Sequence, residues 1–177
     1  MAQEKRKKKF FDVEIPIISK QTQMQAYEIS ELNGRLMKYD LTRALRGKSI
    51  MLTLKVKIEG DKATTSPIKL LLMPYFLRRM IRKGTNYVED SFSAECQDAK
   101  LKIKPLLVTR KKVSRAVRNA LRVKAREELI SYVKDKSSVE LFSQVLNNQI
   151  QKPLSMKLKK IYPLSLCEIR VLESKEK

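Results

Sequence analysis

Between Ser49 and Glu59 the chain alternates with a period of two. Ile50, Leu52, Leu54, Val56 and Ile58 take one side, and Met51, Thr53, Lys55, Lys57 and Glu59 the other, as a strand with one buried face requires. Gly60-Asp61 is a turn, and Lys62 to Leu72 returns as a second strand, so the pair predicts a hairpin. Upstream, Phe10 to Ile18 reads as a short extended segment halted at Pro16. Ser19 to Asn33 is polar and predicts irregular chain, and Leu32-Asn33-Gly34-Arg35 a turn into a strand. Downstream, Pro74 opens a short helix, where proline is tolerated in the first turn, and Gly84 stops it. Asn86 to Gln97 and Leu101 to Val108 predict a second hairpin turning near Asp98-Ala99. Its later strand places Leu101, Ile103 and either Pro105 or Leu106 inside, with Lys100, Lys102 and Lys104 on the other face.

The period then changes. A long helix is predicted over 111–134, and a second over 137–148, capped by Ser137 or Ser138 with Glu140 in its first turn. A short third helix covers Pro153 to Lys160. Leu166 to Leu172 is a closing strand whose buried face is Cys167, Ile169 and Val171. Strands first and helices later favour an α+β fold. The division expected is a basic arm over 1–9, disordered when free, a β-rich part with a short helix over 10–110, and a helical part over 111–177 whose last strand rejoins the sheet.

Charge changes the picture more than any motif. In 177 residues there are 39 Lys and Arg against 19 Asp and Glu, a formal +20. Such an excess repels itself unless a polyanion neutralises it. No stretch approaches the roughly 20 apolar residues that span a bilayer, and the basic N-terminus leads into no apolar block of a secretory signal. The expectation is a cytoplasmic protein without a membrane partner, in which Cys96 and Cys167 are free thiols. Enzyme chemistry finds little footing. Histidine is absent, no cysteine pair has zinc spacing, and four scattered glycines make neither a phosphate loop nor a dinucleotide fingerprint. A carboxylate site remains formally possible, for example Glu127 with Glu128, but neighbours on a helix point in different directions. Neither a cofactor nor a metal is expected.

The distribution of the basic residues is more informative. Between Ala99 and Arg126 stand eleven Lys or Arg and no Asp or Glu. On a helix, Lys111, Arg115, Arg118 and Arg122 share one narrow face, and Val113, Ala116, Val117, Ala120 and Leu121 lie opposite. Arginine suits phosphate because its planar fork binds oxygens in pairs. Beyond Arg126 the apolar Leu129, Ile130 and Val133 move to the arginine side, which predicts either a kink or a change of buried face. A second cluster, Arg78, Arg79, Arg82 and Lys83, abuts Tyr75, Phe76 and Tyr87; these aromatics are core or base-stacking surfaces, and core is the commoner use. The candidate nucleic-acid-contacting residues are completed by Lys5, Arg6, Lys7, Lys8 and Lys9 of the arm, Arg110 and Lys112 before the long helix, and Lys159 and Lys160 near the closing strand. The readings from composition alone are a nucleic-acid-binding α+β protein and, less favoured, a nucleic-acid enzyme.

Several segments carry a resemblance. Lys159-Lys160-Ile161-Tyr162-Pro163-Leu164 followed by Glu168-Ile169-Arg170 resembles the archaeal and eukaryotic small-subunit ribosomal protein family S-three-a-e, also called e-S-one. So do Leu101-Lys102-Ile103-Lys104-Pro105-Leu106 with Arg110 and Lys111 after it, Phe10-Phe11-Asp12-Val13 after a lysine run, Leu32-Asn33-Gly34-Arg35, and Tyr75 through Arg82. The compact chain resembles archaeal members more than eukaryotic ones. The resemblance implies a strongly twisted or barrel-like, mostly antiparallel sheet with C-terminal helices and a basic N-terminal arm. It implies a structural role in translation, on the platform of the small subunit near the mRNA exit region. The partners implied are small-subunit rRNA, neighbouring platform proteins and mRNA at the exit side. The alternative is a free-standing RNA chaperone or chromatin protein. The Tyr162-Pro163 element is expected to be a structural junction, with Ile161 and Leu164 anchoring it in the core.

Overall fold

The computed structural model describes residues 7–45, 47–60 and 62–176. Lys5 and Arg6 of the basic arm, and Asp61 of the first hairpin turn, lie outside them.

The alternating segment is strand β4 (Ile50–Glu59), with Ile50, Leu52, Leu54 and Val56 buried. It pairs antiparallel with β5 (Lys62–Leu72) along its whole length. The register shifts where Leu54 faces Pro67 after Thr53 faces Lys69. Proline has no N–H to give to a ladder, and a bulge is where a sheet tolerates one. The same device recurs in β8 (Ala99–Thr109), where the register against β9 (Leu164–Glu176) shifts between Lys104 and Pro105.

The N-terminal part departs from expectation. β1 (Lys9–Ile15) ends at Pro16 as predicted. The polar segment after it is not irregular: Lys20–Ala26 forms β2, antiparallel to β1 from Lys9↔Ala26 to Ile15↔Lys20. Its inward residues are Thr22, Met24 and Ala26. They are too small or too polar to mark a period, and the pairing comes from β1. β3 (Leu36–Asp40) follows the Leu32–Arg35 turn and pairs with β4.

Helix α1 (Pro74–Met80) begins on its proline, and Gly84 at φ 85° turns the chain into the next strand. The first strand of the second hairpin is split into β6 (Tyr87–Glu89) and β7 (Phe92–Glu95), and both pair with β8. β9 pairs with β8 on one side and with β5 at Lys69–Leu71 on the other. The path through the sheet is β2-β1-β5-β9-β8-β6, with β3 and β4 branching from β5 and β7 from β8. All pairings are antiparallel except β1 with β5, where Val13 faces Ala63. The fold is therefore α+β with a large, mostly antiparallel sheet that remains open; no barrel closes.

Three helices cover the sheet: α2 (Arg115–Val133), α3 (Ser138–Leu146) and α4 (Gln151–Leu158). The Ser137 hydroxyl caps α3 by accepting from the Glu140 N–H at 3.3 Å. α3 packs on β5 and β9, α4 on β9 and α2, and α2 on β6 and β7. The main core runs between them, and a smaller cluster of Val13, Ala26, Leu32, Val56 and Ala63 lies under the β1–β2 hairpin.

Two further expectations change. In β9, Ile169 and Val171 are buried, but so is Leu172, because the bulge opposite Pro105 shifts the alternation, and Cys167 is only half-buried. At the junction, Tyr162 and Leu164 pack against the core, whereas Ile161 is exposed. Ile161 sits in the turn leaving α4, where Leu158 already fills the core position.

Candidate nucleic-acid interface

The interface is built from the start of α2. The helix begins at Arg115, later than predicted, so Lys111 precedes it and is not part of its arginine face. Long-range bonds hold the lead-in extended. The Thr109 N–H donates to the Asn86 carbonyl at 2.8 Å. The Asn86 side-chain oxygen accepts from the Val113 N–H at 2.8 Å. The buried Thr109 hydroxyl lies 2.7 Å from the Lys111 carbonyl and accepts from the Asn86 N–H at 3.0 Å. Ser114 then caps α2 by accepting from the Val117 N–H. Arg110, Lys111 and Lys112 are thereby presented as an exposed loop.

The helix runs unbroken from Arg115 to Val133 and changes its buried face along the way. Its buried residues are Leu121, Ala125, Leu129 and Val133. Each step of four residues advances the stripe by about 40°, so the buried line winds around the helix and reaches the arginine side near its end. Ala116 and Ala120, expected inside, are exposed, and Val113 and Val117 are half-buried. The arginine face survives in the first half.

There Arg115, Arg118 and Arg122 line an open groove of about 630 Å³ between α2 and β6, whose other wall is Tyr87, Val88 and Glu89. Tyr87 is 53% exposed. Arg122 donates to the Asn119 side-chain oxygen at 2.8 Å. Nε of Arg118 is buried and has no acceptor among the described residues. The one carboxylate in the wall, Glu89, is engaged elsewhere: Nη1 of Arg170 lies 3.0 Å from both its oxygens. The groove thus presents three guanidinium groups with no carboxylate bonded to them among the described residues.

The second half of α2 is the opposite case. Lys124 lies 3.5 Å from Glu127 and from Glu128, and Lys157 of α4 bonds Glu128. The Lys157 bond, opposed by partial burial and assisted by Lys124, holds the Glu128 carboxyl below the usual range. Glu127 and Glu128 are therefore ion-pair partners across the helix surface. Burial, with the neighbouring Glu168 charge, pushes the Cys167 thiol up to about 12, so it is not a thiolate at neutral pH. Cys96 is buried, its Sγ 2.9 Å from the Ala99 carbonyl, and both cysteines are free.

The other predicted residues do not line this groove. Arg78, Arg79, Arg82 and Lys83 are exposed on α1 and the turn that leads to β6. Arg79 lies over the ring of Phe76, 5.4 Å from its centre, and Phe76 is core, while Tyr75 is exposed. Lys100 is exposed on β8, with Lys102 and Lys104 half-exposed. Lys159 and Lys160 are exposed after α4, and Lys7, Lys8 and Lys9 at the start of β1. The sequence did not single out Asn86, Thr109, Glu89 or Asn119. Only Asn119 carries a local signal, its place on the arginine face.

A buried polar cluster also went unread. Lys48 pairs with Glu168 at 2.7 Å, their side chains 14% and 12% exposed, and donates to the Asn148 side chain at 2.7 Å. Gln151 reaches Glu168 at 3.3 Å and the Val145 carbonyl at 2.9 Å. The cluster ties the β3–β4 loop and the α3–α4 turn to β9.

Comparison with known proteins gives the family of the chain. The chain is 27% identical to small ribosomal subunit protein eS1 of Nanoarchaeum equitans, over 97% of its own length and 92% of that protein's. It is 32% identical to the protein of that name from Methanothermobacter thermautotrophicus, over 66% of the chain and 62% of the relative, and 27% identical to that of Haloquadratum walsbyi, over 80% and 69%. The match to the Methanothermobacter protein thus spans less than two thirds of that relative's length. The model of the Ribosomal S3Ae family matches residues 2–176, nearly the whole sequence, and the chain belongs to that family.

Proposed function

We propose that this chain is a structural constituent of the small ribosomal subunit that grips the phosphate backbone of rRNA through the first half of α2 and the Arg110–Lys112 loop. The observation that carries the reading is the set of three arginines along an open groove, inside a segment with eleven basic residues and no acid. Phosphate contacts position a protein on RNA without reading sequence, and guanidinium groups left without carboxylates suit that task.

The exposed Arg78, Arg79, Arg82 and Lys83, the lysines of β8, Lys159 and Lys160, and the arm from Lys5 to Lys9 extend the surface. Lys9 is already held in β1, and the arm before it orders against RNA on assembly. The resemblance supports a place on the platform near the mRNA exit region, among neighbouring platform proteins and within reach of mRNA.

Sucrose-gradient sedimentation of a cell extract tests the role. The chain is expected to travel with the small subunit and to stay there through a moderate salt wash. Sedimentation at the top of the gradient would favour a free-standing nucleic-acid binder instead.

A further inference from the structure

Tyr87 is the part of the groove that phosphate binding does not use. It is 53% exposed, on the wall facing Arg115, Arg118 and Arg122. Its backbone is fixed on both sides, by the Tyr87↔Val108 pairing and by the Asn86–Thr109 bonds next to it. An aromatic ring held by a sheet at the rim of a basic groove is a stacking surface in search of a flat partner. The volume, about 630 Å³, lies within the roughly 300–1,000 Å³ typical of small-ligand sites.

Granted the RNA binding proposed above, we infer that this groove receives one unpaired nucleotide of RNA, its base against the Tyr87 ring and its phosphate among the three arginines. A base inside a duplex is stacked on its neighbours and shows an aromatic side chain no face; an unpaired base shows both. The guanidinium groups of Arg115, Arg118 and Arg122 line the same groove as Tyr87 and supply the donors a phosphate takes. Asn119 commits its side-chain oxygen to Arg122 and keeps its amide nitrogen as a donor towards a base carbonyl. Glu89 is held by Arg170, so its charge is partly offset for an incoming anion.

The test uses the purified full chain and two probes: a labelled single-stranded RNA oligonucleotide of mixed sequence, and the same strand annealed to its complement. Tyr87→Ala is expected to weaken binding of the single strand roughly fivefold or more, the low end of what stacking on an aromatic supplies. Duplex affinity and the thermal midpoint should stay as in the parent, since Tyr87 is not core. Tyr87→Phe should bind as the parent does. Equal loss on both probes, or no loss on either, overturns the nucleotide site. Arg115→Glu with Arg122→Glu separates the two readings. If that variant loses both probes while Tyr87→Ala loses neither, the groove binds backbone only. If it too binds as the parent, the RNA-binding reading itself falls.

Discussion

Two exposed polar faces of this molecule differ in one respect. On the outer face of the β1–β2 hairpin, Asp12 stands opposite Gln23 and Glu14 opposite Gln21, and each glutamine donates to the acid across from it, at 3.0 and 3.4 Å. On the first half of α2, Arg115, Arg118 and Arg122 have no acid bonded to them among the described residues, and one of their nitrogens is buried without an acceptor there. The first face satisfies itself. The second carries cationic donors that an outside anion would match. In a chain of +20, charge is everywhere; what marks a binding face is donors the protein leaves unmatched.

The largest expected effect breaks the second face. Arg115→Glu with Arg122→Glu should lower affinity for small-subunit rRNA on the order of 1,000-fold, since each of the two charged hydrogen bonds contributes roughly 1.5–3 kcal/mol. The thermal midpoint should hold, because both side chains are exposed. Arg118 is the wrong residue for this test, since its Nε is buried.

Next in size are two changes that disturb the fold and neither face. Lys48→Met leaves Glu168 buried without its cation and should cost about 3 kcal/mol, the low end for a broken buried pair. Denaturant unfolding measures it, and the folded variant should bind rRNA as the parent does. Tyr162→Ala should cost about 2 kcal/mol, less than a fully buried aromatic, because Tyr162 packs against the core with part of its surface in water. An unchanged midpoint would return Tyr162 to the RNA-facing surface. The smallest effect is the control on the first face. Asp12→Asn with Glu14→Gln should change rRNA affinity less than about twofold, as expected for surface charges far from a phosphate contact; a large gain would show RNA running past that hairpin too.

What the sequence revealed follows the strength of each local signal. The β4–β5 hairpin was legible because large aliphatics alternate with polar residues for ten positions of β4. The Ser137 cap and the arginine face were legible because caps and helical spacing are local. β2 was not, since its inward Thr22, Met24 and Ala26 carry little contrast against glutamines. The start of α2 was misplaced because Asn86, far upstream, holds Val113 out of the helix. The groove needed two walls; one was readable on α2, but its partner, Tyr87, was joined in the reading to the α1 cluster. Prolines 67 and 105 shift the register of two pairings, and the second redistributes the buried residues of β9. No local pattern announces a bulge.

The central claim is that the first half of α2 neutralises RNA phosphates, and the salt dependence of binding measures that directly. The logarithm of rRNA affinity falls linearly with the logarithm of salt, with a slope of roughly 0.9 per phosphate neutralised on duplex and 0.7 on single strands. Replacing Arg115 and Arg122 with Gln in the full chain should reduce that slope by about two contacts' worth, that is, about one per arginine. A folded double variant with the slope of the parent would place the phosphate contacts elsewhere and contradict the account.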